Sequence, residues 1–218
     1  MVHILDRENN SILNKFLSEI RNVEVQGDSM RFRRNLERIA EICAYEISRT
    51  LNYVPQIVET PLGEAQVMLA NDKVVLATIL RAGLPFHQGF LNYFDDAQNA
   101  FVSAYRKHHK DGSFEVKVEY ISCGQLEGKV LILVDPMLAT GTSLVYSYEA
   151  LVAKGGTPKE LHVAAVIASE AGVEYAAKHL PHDAHIWCAS VDPELSAQSY
   201  IIPGLGDAGD LAYGSKLE

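Results

Sequence analysis

Val130-Leu131-Ile132-Leu133-Val134-Asp135-Pro136-Met137-Leu138-Ala139-Thr140-Gly141-Thr142-Ser143 decides the fold class of this chain. The apolar run 130–134 has the length of a buried strand, and a helical pattern follows it at about 143–154. A strand therefore runs into a short hydroxyl-rich loop, and the loop opens a helix. The first N–H groups of a helix have no intrahelical partner and carry the positive end of its dipole, so this end suits an anion. Thr140, Thr142 and Ser143 add hydroxyl donors, and Gly141 permits a close backbone approach. Asp135 does not suit a phosphate, because like charges repel. It suits sugar hydroxyls, which donate to a carboxylate. A carboxylate followed by a phosphate cradle fits a ribose 5-phosphate. A Walker loop would need a lysine that this stretch lacks. An ordinary strand-to-helix turn with Thr and Ser as caps stands as the alternative at this level.

The same alternation extends outward. Helical spacing covers residues 11–20 and 29–51, with Phe32, Leu36, Ile39, Ile42, Cys43 and Ile47 on one stripe. Strands are expected at about 74–80, 100–105, 130–135, 161–167 and 185–191. Helices are expected near 84–94, 143–154 and 171–179, the second ending at Gly155-Gly156. Strands alternating with helices predict an α/β fold with a central parallel sheet covered on both faces. Residues 107–119 carry a turn signal at Asp111-Gly112 and the period-2 set Phe114, Val116, Val118, Tyr120, which predicts a β-hairpin. Ligands of open α/β sheets bind beyond the carboxyl ends of strands. Arg81, Arg106 and Asp135 are all expected at such ends.

Composition narrows the classes. A length of 218 residues fits one α/β domain spanning 1–218. No apolar run approaches the roughly 20 residues that span a bilayer, and the N-terminus has no signal-peptide pattern, so a cytoplasmic location and no membrane partner are expected. A net charge of −9 argues against a nucleic-acid partner. Cys43, Cys123 and Cys188 are odd in number and read as reduced, partly buried thiols. Gly204-Leu205-Gly206-Asp207-Ala208-Gly209 matches a dinucleotide fingerprint, but too little chain follows for the helix that motif needs. His179, His182 and His185 have even spacing, yet Pro181 interrupts the helix, so a solvated helix end is the better reading than a metal site.

The loop at 135–143 resembles the 5-phosphoribosyl 1-pyrophosphate (PRPP) loop of the type I phosphoribosyltransferases. Most of that family has two adjacent acids at its start. Here Pro136 replaces the second acid, and Asp-Pro-Met-Leu-Ala-Thr-Gly is similar to the uracil-specific branch. Tyr200-Ile201-Ile202-Pro203-Gly204-Leu205-Gly206-Asp207-Ala208-Gly209-Asp210 resembles that branch's base-binding tail. Ile79-Leu80-Arg81-Ala82-Gly83-Leu84 and Tyr105-Arg106 match in order and spacing, and the likeness runs from about Asp28 to the end.

The resemblance implies the type I phosphoribosyltransferase fold, with a helical N-terminal segment at about 11–51 and a C-terminal base-binding hood at about 192–214. It implies transfer of the phosphoribosyl group from PRPP to uracil, giving UMP and pyrophosphate. Arg81, Arg106 and Asp135 would be catalytic. PRPP would be bound by these three with Pro136, Met137, Leu138, Ala139, Thr140, Gly141, Thr142, Ser143 and Asp207. Uracil would be read by Ile201, Gly206, Asp207 and Ala208, largely through backbone groups. Cytosine would mismatch two buried hydrogen bonds at roughly 1–3 kcal/mol each. Mg²⁺ is the implied cofactor, held mainly through PRPP and water, with Asp207 near a metal-bound water. A homo-oligomer (dimer or tetramer), a GTP activator and a cis peptide bond entering Arg81 are also implied. Thr142, Ser169-Glu170-Ala171-Gly172 and Lys107-His108-His109-Lys110 depart from the family pattern. Two rivals stand: a PRPP-binding regulator of transcription, which would want a basic face, and transfer to another base such as hypoxanthine or orotate.

Overall fold

The computed structural model describes residues 1–108 and 114–215, without the side chains of 104–108 and 114–118. Its elements are β1 (Val2–Ile4), α1 (Leu5–Glu8), α2 (Leu13–Arg21), α3 (Ser29–Ser48), β2 (Tyr53–Thr60), β3 (Gly63–Ala70), β4 (Val74–Leu80), α4 (Gly83–Leu91), β5 (Gln98–His108) and β6 (Phe114–Ser122). They continue with β7 (Val130–Val134), β8 (Met137–Leu138), α5 (Thr142–Gly155), β9 (Glu160–Ser169), α6 (Glu170–His179), β10 (His185–Asp192), β11 (Glu194–Leu195), β12 (Ile201–Ile202) and α7 (Ala208–Tyr213).

The main sheet has the order β1-β10-β9-β7-β4-β5-β6. All its pairings are parallel except β5 with β6, which form the expected hairpin. The turn at Asp111-Gly112 lies outside the described residues. Side chains alternate between two cores along most of each strand, because strand residues point to opposite faces in turn; Val166 and Ile167, both bonded to the Pro136 carbonyl, fall in the same core. Leu76, Ile132, Val134, Val166 and Trp187 face α2, α3, α4 and α7. Val75, Ala77, Leu131, Leu133, Val163 and Cys188 face α5 and α6. Burial on both faces explains why these strands read as continuous apolar runs. On α3, the stripe Phe32, Leu36, Ile39, Cys43 and Ile47 is fully buried, and Asp28 caps the helix by accepting the Arg31 N–H at 3.1 Å.

Six elements were not legible as strands in the sequence, among them β11 and β12, a two-residue antiparallel pair. β1 is a short strand added parallel to β10. β2 and β3 form a separate antiparallel hairpin whose residues are half-buried or exposed. β8 is a two-residue strand set beside β9, inside the stretch 135–143 that was expected to be loop throughout. Arg106 is also placed differently from expectation. It lies within β5, past the last pairing with β4 (Leu80 with Ser103), in the part of the strand paired only with β6.

Candidate active site

A topological switch lies between β4 and β7. From β4 the chain passes through α4 to β5 on one side, and from β7 it passes through α5 to β9 on the other. Such a switch opens a crevice beyond the carboxyl ends of the strands. Arg81 follows β4 and Asp135 follows β7, and Thr78 is in register with Val134. The two residues thus leave adjacent strands, which lie about 4.8 Å apart. The Leu80–Arg81 peptide bond is cis, as is Ile202–Pro203.

The stretch after β7 makes a jog before its helix. The Asp135 N–H continues the ladder to the Ala164 carbonyl at 3.0 Å. The Pro136 carbonyl accepts the N–H groups of Val166 at 3.1 Å and Ile167 at 3.0 Å. Asp135 Oδ1 accepts the Met137 N–H at 3.3 Å. Gly141 then stands as the N-cap of α5 with φ +77°, a left-handed conformation that favours glycine, and no side chain caps the helix. The reading of Thr and Ser as caps is therefore set aside. Thr140 Oγ1 donates to Thr142 Oγ1 at 3.2 Å, so the unusual Thr142 is accommodated within the hydroxyl set. Asp135, Met137, Ala139, Thr140, Gly141 and Ser143 line a small open pocket. One end of this pocket is a carboxylate and the other is an uncapped helix N-terminus, where a sugar phosphate would find a partner at both ends.

The start of α6 supports this loop from behind. Ser169 Oγ donates to the Ala139 carbonyl at 2.6 Å and accepts the Gly172 N–H at 2.9 Å. Gly172 packs so closely that a Cβ there would overlap the Ala139 carbonyl oxygen and lie 2.5 Å from that of Leu138. In the sequence, residues 169–172 stand out only as a departure from the family pattern. The available signal was an N-cap serine opening a helix just after a strand.

The tail closes over the same end of the sheet. Ile201 is buried and in register with Leu195, so its side chain belongs to the core. Gly206 is exposed, has φ +93°, and has nothing within 4 Å of where a Cβ would be. Asp207 Oδ1 caps α7 by accepting the Asp210 N–H at 3.0 Å, and Ala208 is buried at the start of that helix. Arg33 donates to the Ala212 carbonyl at 2.6 Å and lies 5.7 Å from the Tyr213 ring centroid, so Arg33 ties the tail to α3. Arg81 Nη2 reaches Asp210 Oδ1 at 3.0 Å, and both its terminal nitrogens lie 3.3 Å from the Gly214 carbonyl oxygen. Arg81 therefore joins the β4 end to the tail. The Arg106 side chain lies outside the described residues.

Other expected features separate. His179 in α6 bonds to the Tyr175 carbonyl, whereas His185 starts β10. Cys43 and Cys188 are buried, and burial raises both thiols, that of Cys188 to about 12. Cys123 is also raised by burial. None of the three has the depressed pKa of a nucleophile.

A solved structure of the AQ2163 protein from Aquifex aeolicus superposes with a TM-score of 0.87 at 26% identity, covering 100% of both chains. A hypoxanthine phosphoribosyltransferase from Staphylococcus aureus superposes with a TM-score of 0.52 at 14% identity, covering 85% of this chain and 83% of that one. The likeness to the second is one of fold, and with the switch-point site it defines a type I phosphoribosyltransferase architecture. The family model described as uracil phosphoribosyltransferase matches residues 8–215. The uracil phosphoribosyltransferase of Porphyromonas gingivalis is 55% identical over 95% of each chain. That of Pyrococcus furiosus is 36% identical over 97% of this chain and 90% of its own. The chain belongs to the uracil phosphoribosyltransferase family.

Proposed function

We infer that this protein transfers the 5-phosphoribosyl group from PRPP to uracil, giving UMP and pyrophosphate. The observation that carries the reading is the loop 135–143, a carboxylate and an uncapped helix N-terminus at the switch point, with the tail 201–214 closing beside it through Arg81. A base nitrogen forms the new bond to the anomeric carbon, the bond to pyrophosphate breaks, and the nitrogen loses its proton. The transition state has oxocarbenium character, so catalysis consists of alignment and of stabilising the departing pyrophosphate. Asp135 orients the ribose hydroxyls, and residues 139–143 hold the 5-phosphate. Arg81, and Arg106 as the family resemblance implies, offer fixed positive charge to pyrophosphate. Asp207 keeps its place through the α7 cap while it faces PRPP or a metal-bound water. Backbone groups of Ile201 and 206–208 read the uracil edge.

Among the described residues no group of three acidic, histidine or cysteine side chains converges. The carboxylate oxygens of Asp135 and Asp207 are hard donors that suit a Mg²⁺ carried mainly on the phosphates of PRPP and water. When bound, Mg²⁺ neutralises part of the charge developing on pyrophosphate. The test is a panel of uracil, cytosine, hypoxanthine and orotate with PRPP, following pyrophosphate release with Mg²⁺ and with chelator. Turnover of uracil only with the cation is expected. Full activity in chelator, or equal use of cytosine, would refute the reading.

The whole chain 1–218 is read as one catalytic unit with 192–214 as its hood, located in the cytoplasm. No helix among the described residues is long and apolar enough to cross a membrane. A homo-oligomer, dimer or tetramer, is supported by β2–β3. A two-stranded hairpin is marginal alone, and this one exposes Ile57, Leu62, Met68 and Leu69. Light scattering of the whole chain and of an Ile57→Asp, Leu62→Asp variant tests it, with dissociation expected. GTP activation is tested by titrating GTP into the same assay.

A further inference from the structure

We propose that Arg21 and Asp192 form a positioning pair that fixes the leading edge of the uracil-reading loop and so sets the affinity for the base. This rests on the reading of residues 201–208 as the uracil site. Leu13, Leu17 and Ile20 bury α2 in the core, and Arg21 is its last residue. A cation suits that end of the helix. Asp192 ends β10 and is 5% exposed. The two make a bidentate pair, Nη1 to Oδ2 at 2.7 Å and Nη2 to Oδ1 at 2.8 Å.

The pair also holds the loop. Arg21 Nη1 donates to the Gly204 carbonyl at 3.0 Å, while Asp192 Oδ2 accepts the Gly204 N–H at 2.9 Å. Both backbone groups of Gly204 are therefore fixed by one ion pair. Arg21 Nη2 further donates to Ser190 Oγ at 3.0 Å, which locks the plane of the guanidinium. A buried ion pair is weak evidence for stability, because apolar replacements of similar volume often do as well. Its planar fork does give geometric definition that apolar packing does not. Gly204 lies two residues before Gly206, a reach of at most about 7 Å, so a shift of Gly204 moves the wall that faces uracil. The far side of the tail is held independently, by Arg33 at Ala212 and by the Asp207 cap.

The experiment uses the full chain with Arg21→Lys, Arg21→Met and Asp192→Asn, and measures saturation by each substrate together with thermal unfolding. Losing a charge-assisted bond that positions a ligand should raise the uracil KM by roughly tenfold or more in Arg21→Met and Asp192→Asn. Arg21→Lys keeps the charge without the fork and should fall between. The KM for PRPP and the kcat at saturating uracil should stay within about twofold, because residues 135–143 have separate supports. A purely structural role would lower the active fraction and leave the uracil KM unchanged. A folded variant with an unchanged uracil KM, or with both KM values raised alike, would overturn the proposal. If Arg21→Met does not fold, Arg21→Lys decides by the same criteria. Failure of the wild-type protein to use uracil would instead overturn the underlying reading, and the proposal with it.

Discussion

Gly172→Ala separates the two forces acting at the PRPP loop. Gly172 lies in the first turn of α6, where alanine is ordinarily better than glycine by about 1 kcal/mol. Here the added Cβ would lie 2.5 Å from the Leu138 carbonyl oxygen and closer still to that of Ala139. A carbon meets an oxygen comfortably at about 3.3 Å, so the loop or the helix must yield by roughly 1 Å at the nearer oxygen. Overpacking of this kind costs typically 1–3 kcal/mol. The clash therefore outweighs the gain in propensity, and a net loss of about 1 kcal/mol lowers Tm by about 2–4 °C. The functional effect should be larger, since a misplacement near 1 Å can cost about 10²-fold in rate. We expect kcat/KM for PRPP to fall by one to two orders of magnitude, with the uracil KM within about twofold. Saturation kinetics for each substrate beside a circular-dichroism melt provide the test. A variant that melts higher than wild type and keeps its PRPP dependence would refute the view that α6 sets the position of residues 138–141.

Three more predictions address other parts. Asp135→Asn keeps the shape and an acceptor for the Met137 N–H but loses the charge, so kcat/KM for PRPP should fall by about 10–100-fold with Tm nearly unchanged. An unaltered PRPP dependence would make Asp135 a local turn residue only. Gly206→Val puts a branched side chain at φ +93° in open space, so it should distort the base wall at roughly 1–3 kcal/mol of strain. Calorimetry should still show Mg-PRPP binding while uracil saturation is lost, and the reverse pattern would refute the division of roles. His162 is fully buried, and the Trp187 N–H donates to its Nδ1 at 3.1 Å, which makes its Nε2–H the donor to Glu160 at 2.9 Å. Burial, then the neighbouring His185 and His3, depress its pKa from 6.5 to about 4, outweighing Asp72. The unfolded chain thus binds the proton first, and stability present above pH 6.5 is lost on descent towards pH 4, by about 3 kcal/mol. Urea titrations at pH 7 and 4.5 should show that loss in the wild type and a smaller one in His162→Gln.

Much of this architecture was legible because it is local. Strands β4, β7, β9 and β10 are buried on both faces, so their apolar runs show without any alternation to decode. The α3 stripe has a clear helical period, and the Asp111-Gly112 signal was flanked by an alternating strand. β1 was hidden because three residues give no period, and its place is set by pairing with β10 across most of the chain. The β2–β3 hairpin was hidden because no buried face imposes a pattern on it. The loop 135–143 was legible as a hydroxyl-rich connection from strand to helix, but not the β8 jog, which depends on Pro136 meeting Val166 and Ile167 from a distant strand. Ser169, Gly172, Arg21 and Asp192 share that character. Each acts through a partner at least 12 residues away in the chain, and a single sequence records the residue but not the meeting.

The three arginines that hold the tail differ in what they contribute. Arg21, its side chain 23% exposed, meets an Asp192 side chain that is 8% exposed, and this largely buried pair is supported by three further hydrogen bonds. Arg33 uses one short bond to a carbonyl and a ring. Arg81 meets Asp210 with side chains 39% and 41% exposed, and its bonds to Gly214 are long at 3.3 Å. Exposed pairs of that kind contribute about 0–1 kcal/mol. A polyphosphate approaching Arg81 displaces little by recruiting its guanidinium, whereas moving Gly204 would require breaking a buried network. The tail is therefore held firmly at Gly204 and weakly at Asp210 and Gly214, and on the proposed reading of the site this allows the Arg81 side to rearrange around PRPP while the wall proposed to read uracil keeps its shape.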